Sequence, residues 1–234
     1  MIALANFILR GRVQALAVAF IGSFFPLISS ATIALVALCK GAKEGLLLFL
    51  WLSLILVLIQ QASTDNPLLA AVSIASLGIM VIAAKVHRHL ASWQWTLLAT
   101  IAISVACAFS FGLLMGSEVT AFLTTVEAMF AAINSKQQDA KISLDLTESM
   151  LLGIVATLLA IGSIMSLMLA RWWQAGIYNP GGFQKEFHSF KIEAKVAVIL
   201  VAVLLAGQFM SKSSQIWSDL AVLPLLIAGI ALVH

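Results

Sequence analysis

The chain has 234 residues, of which 62% are hydrophobic and 10% charged, with a formal net charge of +3. A mean hydropathy of +1.08 excludes a water-soluble globule, because a chain of this size cannot enclose so much apolar surface. Cys39 and Cys107 stand at unrelated positions and give neither a disulfide framework nor metal spacing. No run of basic residues interleaved with aromatics suggests a nucleic-acid surface.

The start, MIALANFILRGRVQALAVAFIGSFF, imitates a signal peptide, with Arg10 and Arg12 ahead of an apolar stretch. The apolar character continues to Leu38 and further apolar segments follow, so an uncleaved membrane segment is expected. That first segment, 13–38, is long for one crossing and short for two, since a helix needs about 20 residues to cross the hydrocarbon core. Pro26 sits in its middle, removing a backbone donor and crowding the preceding turn. A kinked, broken or re-entrant element is predicted there. Ala15 and Ala19, in ALAVA, form a small-xxx-small pair suited to close helix packing.

Further continuously apolar segments follow at 45–60, 67–84, 93–115, 149–170, 194–210 and 216–233. Continuous runs, without alternation, predict helices and not barrel strands. The fold class is therefore all-α: a polytopic transmembrane bundle forming a single integral-membrane domain over 1–234. His87 and His89, between Lys85 and Arg88, are two residues apart. A metal pair on one helix face wants a spacing of four, and the local positive charge opposes a cation.

The 116–148 connection carries Glu118, Glu127, Asp139, Asp145 and Glu148 against Lys136 and Lys141. Within it, Phe122, Val126, Met129 and Ile133 share one helical face, which predicts a helix lying on the outer surface or capping the bundle. Down the 149–170 segment, Gly153, Ala156, Ala160 and Ser163 recur at spacings of three and four, a small-residue packing face.

The 171–193 connection, RWWQAGIYNPGGFQKEFHSFKIE, is the most specified stretch of the chain. Trp172 and Trp173 suit the headgroup level, and Arg171 can bury its stem while lifting its guanidinium to the interface. Tyr178, Asn179, Pro180, Gly181 and Gly182 then break the helix. Phe183, Phe187 and Phe190 fall at one helical face, which predicts a short amphipathic helix in the plane of the membrane surface. One reading makes the whole stretch an interfacial anchor. The other makes it a docking surface for a membrane or cytoplasmic partner, or a gate beneath a ligand pocket.

Lys and Arg placement decides among topologies. With one crossing by segment one and a cytoplasmic N-terminus, Arg10, Arg12, Lys136, Lys141 and Lys212 lie inside and the other eight outside. If segment one enters and returns, ten lie inside and three outside; a single crossing from an outer N-terminus gives eight against five. The re-entrant alternative is preferred, the last stays open, and both place 171–193 in the cytoplasm.

No nucleophile-base-orienter set, phosphate loop or mid-span carboxylate is present in the pattern, so neither catalysis, a cofactor nor a metal is expected. Three stretches resemble the YybS-like family of bacterial multi-spanning membrane proteins: ALVALCKGAKEG from Ala34, ARWWQAGIYNPGGFQKEF from Ala170, and the terminal GIALVH. By fold grouping that family is similar to the S components of energy-coupling-factor transporters and to the cell-shape protein MreD. The resemblance implies about six core helices, a small-molecule pocket reached from outside, and a transmembrane partner docked through Ala15 and Ala19. It also implies that the family's apolar sequence continues past His234. The expected protein is a bacterial inner-membrane protein, non-enzymatic, that binds a small molecule or serves as a transporter membrane subunit. The alternative is an envelope scaffold docking partners through 171–190.

Overall fold

The computed structural model describes residues 2–25, 27–63, 66–136 and 146–233, and over these the chain is all-α. Pro26, to which the helix break is assigned, lies outside the described residues, as do Asp139, Lys141 and Asp145.

The first apolar segment is two helices. After α1 (Ile2–Arg10) come α2 (Arg12–Gly22) and α3 (Ile28–Lys40). At 1.5 Å per residue these are about 16 and 20 Å long, each too short for a core about 30 Å thick. Just before α3, Leu27 holds φ at 74°, a left-handed backbone that ends the helical run. Gly41 alone separates α3 from α4 (Ala42–Ala62). In the first turn of α4, Glu44 accepts bonds from Arg12 at 2.8 and 2.6 Å. The start of α2 therefore lies beside the end of α3, and segment one enters and returns at the same end.

The returning helix is the centre of the molecule. Every residue of α3 from Ala31 to Leu38 is buried, and α3 packs on α2, α4, α5 (Pro67–Leu90) and α8 (Glu148–Tyr178). A helix apolar on all sides finds no water-facing stripe and sits inside. Small residues set the spacing: a Cβ on Gly45 of α4 would lie 2.6 Å from that of Ala37. Ala15 and Ala19 are buried in the same core. They serve packing within the bundle, so the small-residue pair has no exposed face to offer a transmembrane partner.

α4, α5, α6 (Trp93–Leu114), α8 and the run 214–232 are long and apolar enough to cross a membrane. Side-chain caps mark the starts of α5 and α8, with Asn66 accepting the Leu68 N–H and Thr147 the Met150 N–H. α4 turns Leu46, Leu50, Trp51, Leu54 and Leu58 outward. Such an apolar belt is unstable against water and suits lipid. On α8, Gly153, Ala156, Ala160 and Ser163 are all buried, and a Cβ on Gly153 would come within 2.6 Å of Ile216 in α11 (Lys212–Asp219). α10 (Ala194–Gln208) packs on α11 and α12 (Val222–Val233), leaving Val198, Ile199 and Leu205 exposed.

Two sequence boundaries move. The connection placed at 171 begins instead at Asn179, because nothing in ARWWQAGIY breaks a helix and α8 continues to Tyr178. In α7 (Gly116–Lys136), the buried residues are Val119 and Leu123, with Phe122 partly covered, while Met129 and Ile133 are exposed. Only the first turns of α7 dock, so the expected Phe122–Ile133 stripe is covered over half its length. The chain order gathers Arg10, Arg12, Lys40, Lys43, Lys85, Arg88, Arg171, Lys185, Lys191 and Lys195 at one end of the bundle, with Lys212 at the other.

Candidate functional site

At the basic end, α5 stops and α6 starts within two residues. Ala91 adopts a left-handed conformation (φ 46°) and its N–H bonds to the His87 carbonyl at 2.9 Å. Ser92 then caps α6 without a side-chain bond to the first turn. This corner brings His87, Trp93 and Gln94 together, all nearly buried. The Thr96 hydroxyl donates to the Ser92 carbonyl at 2.7 Å and lies 3.3 Å from His87 Nδ1. One hydroxyl has one proton, so a neutral His87 donates from Nδ1.

The opposite wall comes from α8 and α9 (Gly182–His188). Asn179–Gly182 is a turn closed by Gly182 N–H to Asn179 O at 2.8 Å. Pro180 stands second, and Gly181 third with φ 82° and ψ −8°, the type II pattern that glycine satisfies without strain. A Cβ on Gly182 would overlap the Asn179 side chain. The turn folds α9 back onto the bundle. Arg171 then grips both oxygens of Glu186 with Nε and Nη2, and donates to Gln174 Oε1 from Nη1 at 2.6 Å. A two-pronged ion pair fixes orientation as well as distance.

The phenylalanines of this stretch face inward. Phe183 meets Trp93 edge-on with ring centroids 6.1 Å apart, Phe183 and Phe187 stack at 6.0 Å, and Trp93 lies 4.7 Å from His87. Phe190 is 6% exposed and Trp173 only 1%. The face expected for docking is thus partly covered, Phe183 and Phe187 in part and Phe190 fully, because the turn at Pro180 brings α9 onto α8 and α12 and sets Phe183 against Trp93. Trp173, placed by the sequence at the headgroup level, is a core residue. Trp172 at 46% and Tyr178 at 67% remain on the surface.

Between these walls lies a cavity of about 490 Å³, lined by Arg88, Trp93, Gln94, Arg171, Glu186 and Lys191 among others. Two of its lining side chains also hold a buried donor without a partner. Gln94 Oε1 accepts the Glu193 N–H at 2.7 Å, which assigns the amide and leaves Nε2 without a partner. Trp93 Nε1 is likewise buried and unbonded. Buried donors without acceptors cost roughly 1–3 kcal/mol each, and Trp173 Nε1 in the core is in the same state. A larger groove, about 660 Å³, opens at the other end between α5 and α7. We set it second because its amide, Asn66, is satisfied by Leu68 N–H and Glu118 O. Among the described residues no cluster of three metal-ligating side chains forms.

Sequence reasoning missed Trp93, Gln94 and Glu186, and set His87 aside. A signal existed in SWQW, a capping serine followed by an indole and an amide. What it meets, 90 and more residues away, carried no signal. The fold and belt define the class as a multi-pass helical membrane protein. No protein family, curated protein or solved structure matches the chain, so the YybS-like resemblance rests on its quoted residues alone.

Proposed function

We propose that this is a non-catalytic protein of a bacterial inner membrane which binds a small molecule at its basic end, as a binding protein or transporter membrane subunit. What supports the reading is the cavity of about 490 Å³ at that end, lined by Arg88, Trp93, Gln94, Arg171 and Lys191 among others. Ligand pockets combine such a few placed polar groups with apolar walls, here Trp93 and Phe190. Ten cations at that end support a cytoplasmic orientation. The scaffold alternative keeps Trp172 and Tyr178 exposed, with Phe183 and Phe187 partly covered and Phe190 buried.

The test is native mass spectrometry on protein purified in mild detergent. The wild type should retain a bound molecule that Gln94→Leu releases without losing its folded monodisperse state. No bound mass in the wild type, with Gln94→Leu more thermally stable, would leave the cavity a packing defect. An impermeant amine reagent should reach Lys185 and Lys191 only after the membrane is opened; labelling in intact spheroplasts would reverse the orientation.

A further inference from the structure

The geometry points to a second recess, a water-filled vestibule that enters the bundle from the end opposite the basic one and reaches the tip of the α2–α3 hairpin. It stands apart from whatever the basic-end cavity binds. α3 runs 13 residues back from Lys40, about 20 Å at 1.5 Å per residue. Its first residues therefore lie about two-thirds of the way across a core about 30 Å thick. α4 and α5 continue past that level, to Ala62 and from Pro67. The space left beyond the start of α3 is a cavity of about 220 Å³, with room for roughly seven waters at about 30 Å³ each. Ser73 and Ser76, on its α5 wall, lie about 9 and 14 Å along the helix from Pro67.

Two independent features make water the occupant. One is the backbone, which leaves the helix between Gly22 and Ile28. Irregular backbone at membrane depth persists only inside protein or against a water-filled space. Ser23, Phe24 and Phe25 are exposed, so protein does not enclose this turn. The other is the chemistry of the walls. Half of the lining residues are serines, Ser23, Ser29 and Ser30 from the hairpin and Ser73 and Ser76 from α5, and none is charged. Ser23, Ser73 and Ser76 commit their protons to carbonyls of their own helices, at 3.1, 2.9 and 2.7 Å. Their oxygens keep lone pairs that accept from water. α3 then stands between two recesses. Ser30 lines this one and Leu38 the basic-end cavity, about 12 Å apart along the helix.

Cysteine modification tests this on the full-length chain in its membrane, with Cys39→Ala and Cys107→Ala removing the native thiols. Ser30→Cys and Ser73→Cys, each a one-atom change, are treated with a membrane-impermeant methanethiosulfonate. The lipid-facing control is Leu54→Cys, on the exposed face of α4 and about 12 Å from its end. Both serine positions should react at least about tenfold faster than this control, because the reacting thiolate forms only where water solvates it. They should do so from the same side as Ser117→Cys, which is exposed in α7. Ser76→Phe, which fills the space, should slow Ser30→Cys severalfold and leave Ser117→Cys unchanged. Rates no faster than Leu54→Cys would mean that an acyl chain occupies the space, and the inference falls. Reaction from the side of Lys191 overturns it as well, as does a folded Ser76→Phe variant in which Ser30→Cys is not slowed.

Discussion

The two ends of the bundle are built from similar material and come out differently. Each has a connection containing an amphipathic helix: α9 after Asn179, and α7 over 116–136. α9 is only 7 residues long, yet it is held by the Arg171–Glu186 fork, by the ring contact of Phe183 with Trp93 and by the buried Phe190. α7 has 21 residues and, among the described side chains, buries Val119 and Leu123. Length and periodicity therefore do not decide attachment. What decides it is whether the chain is steered onto a partner surface, which the type II turn at Pro180 and Gly181 achieves and the α6–α7 junction does not.

The comparison can be broken at its strongest point first. Trp173→Ala removes a fully buried indole from the core and should cost about 3–5 kcal/mol, read as a large loss of thermal stability in detergent. A loss below about 1 kcal/mol would mean the basic end is loosely packed after all. Glu186→Ala should come next, at about 1–2 kcal/mol, because the fork is partly exposed and screened. Reversing the pair, Arg171→Glu with Glu186→Arg, should recover part of that stability; no recovery would show that Arg171 acts through Gln174 alone. Gly181→Ala should cost about 1 kcal/mol for a Cβ at positive φ and should loosen α9, raising amide exchange at Phe183 and Phe187. At the other end, Met129→Ser should change stability by about 0.5 kcal/mol or less, as substitutions at exposed sites do. A larger effect would show that the second half of α7 is covered in the membrane.

Particular residues show how far pattern reading reached. Segment one was legible as anomalous from 26 apolar residues interrupted by Pro26, and the basic-residue count favoured an element that returns. That the returning half is the buried axis was not legible, since a mostly apolar 13-residue helix reads the same whether lipid or protein surrounds it. The helical face of Phe183, Phe187 and Phe190 was legible; its covering was not, because periodicity gives the side of a helix and says nothing of what lies against it. Trp93 and Gln94 were passed over because a tryptophan at a span's end is expected at the headgroups. Their contacts with Phe183 and with the Glu193 N–H join segments that no local pattern links.

From sequence alone came the solvent, the class and the end to which charge is confined. Hydropathy and Lys/Arg placement are properties summed along the chain, and lipid reads them whatever the neighbours are. Which faces meet, which donors are left without acceptors and where a cavity opens were decided only when α3, α6, α8 and α9 closed around one another. Contact, unlike partition into a bilayer, depends on residues far apart in the chain arriving at the same place.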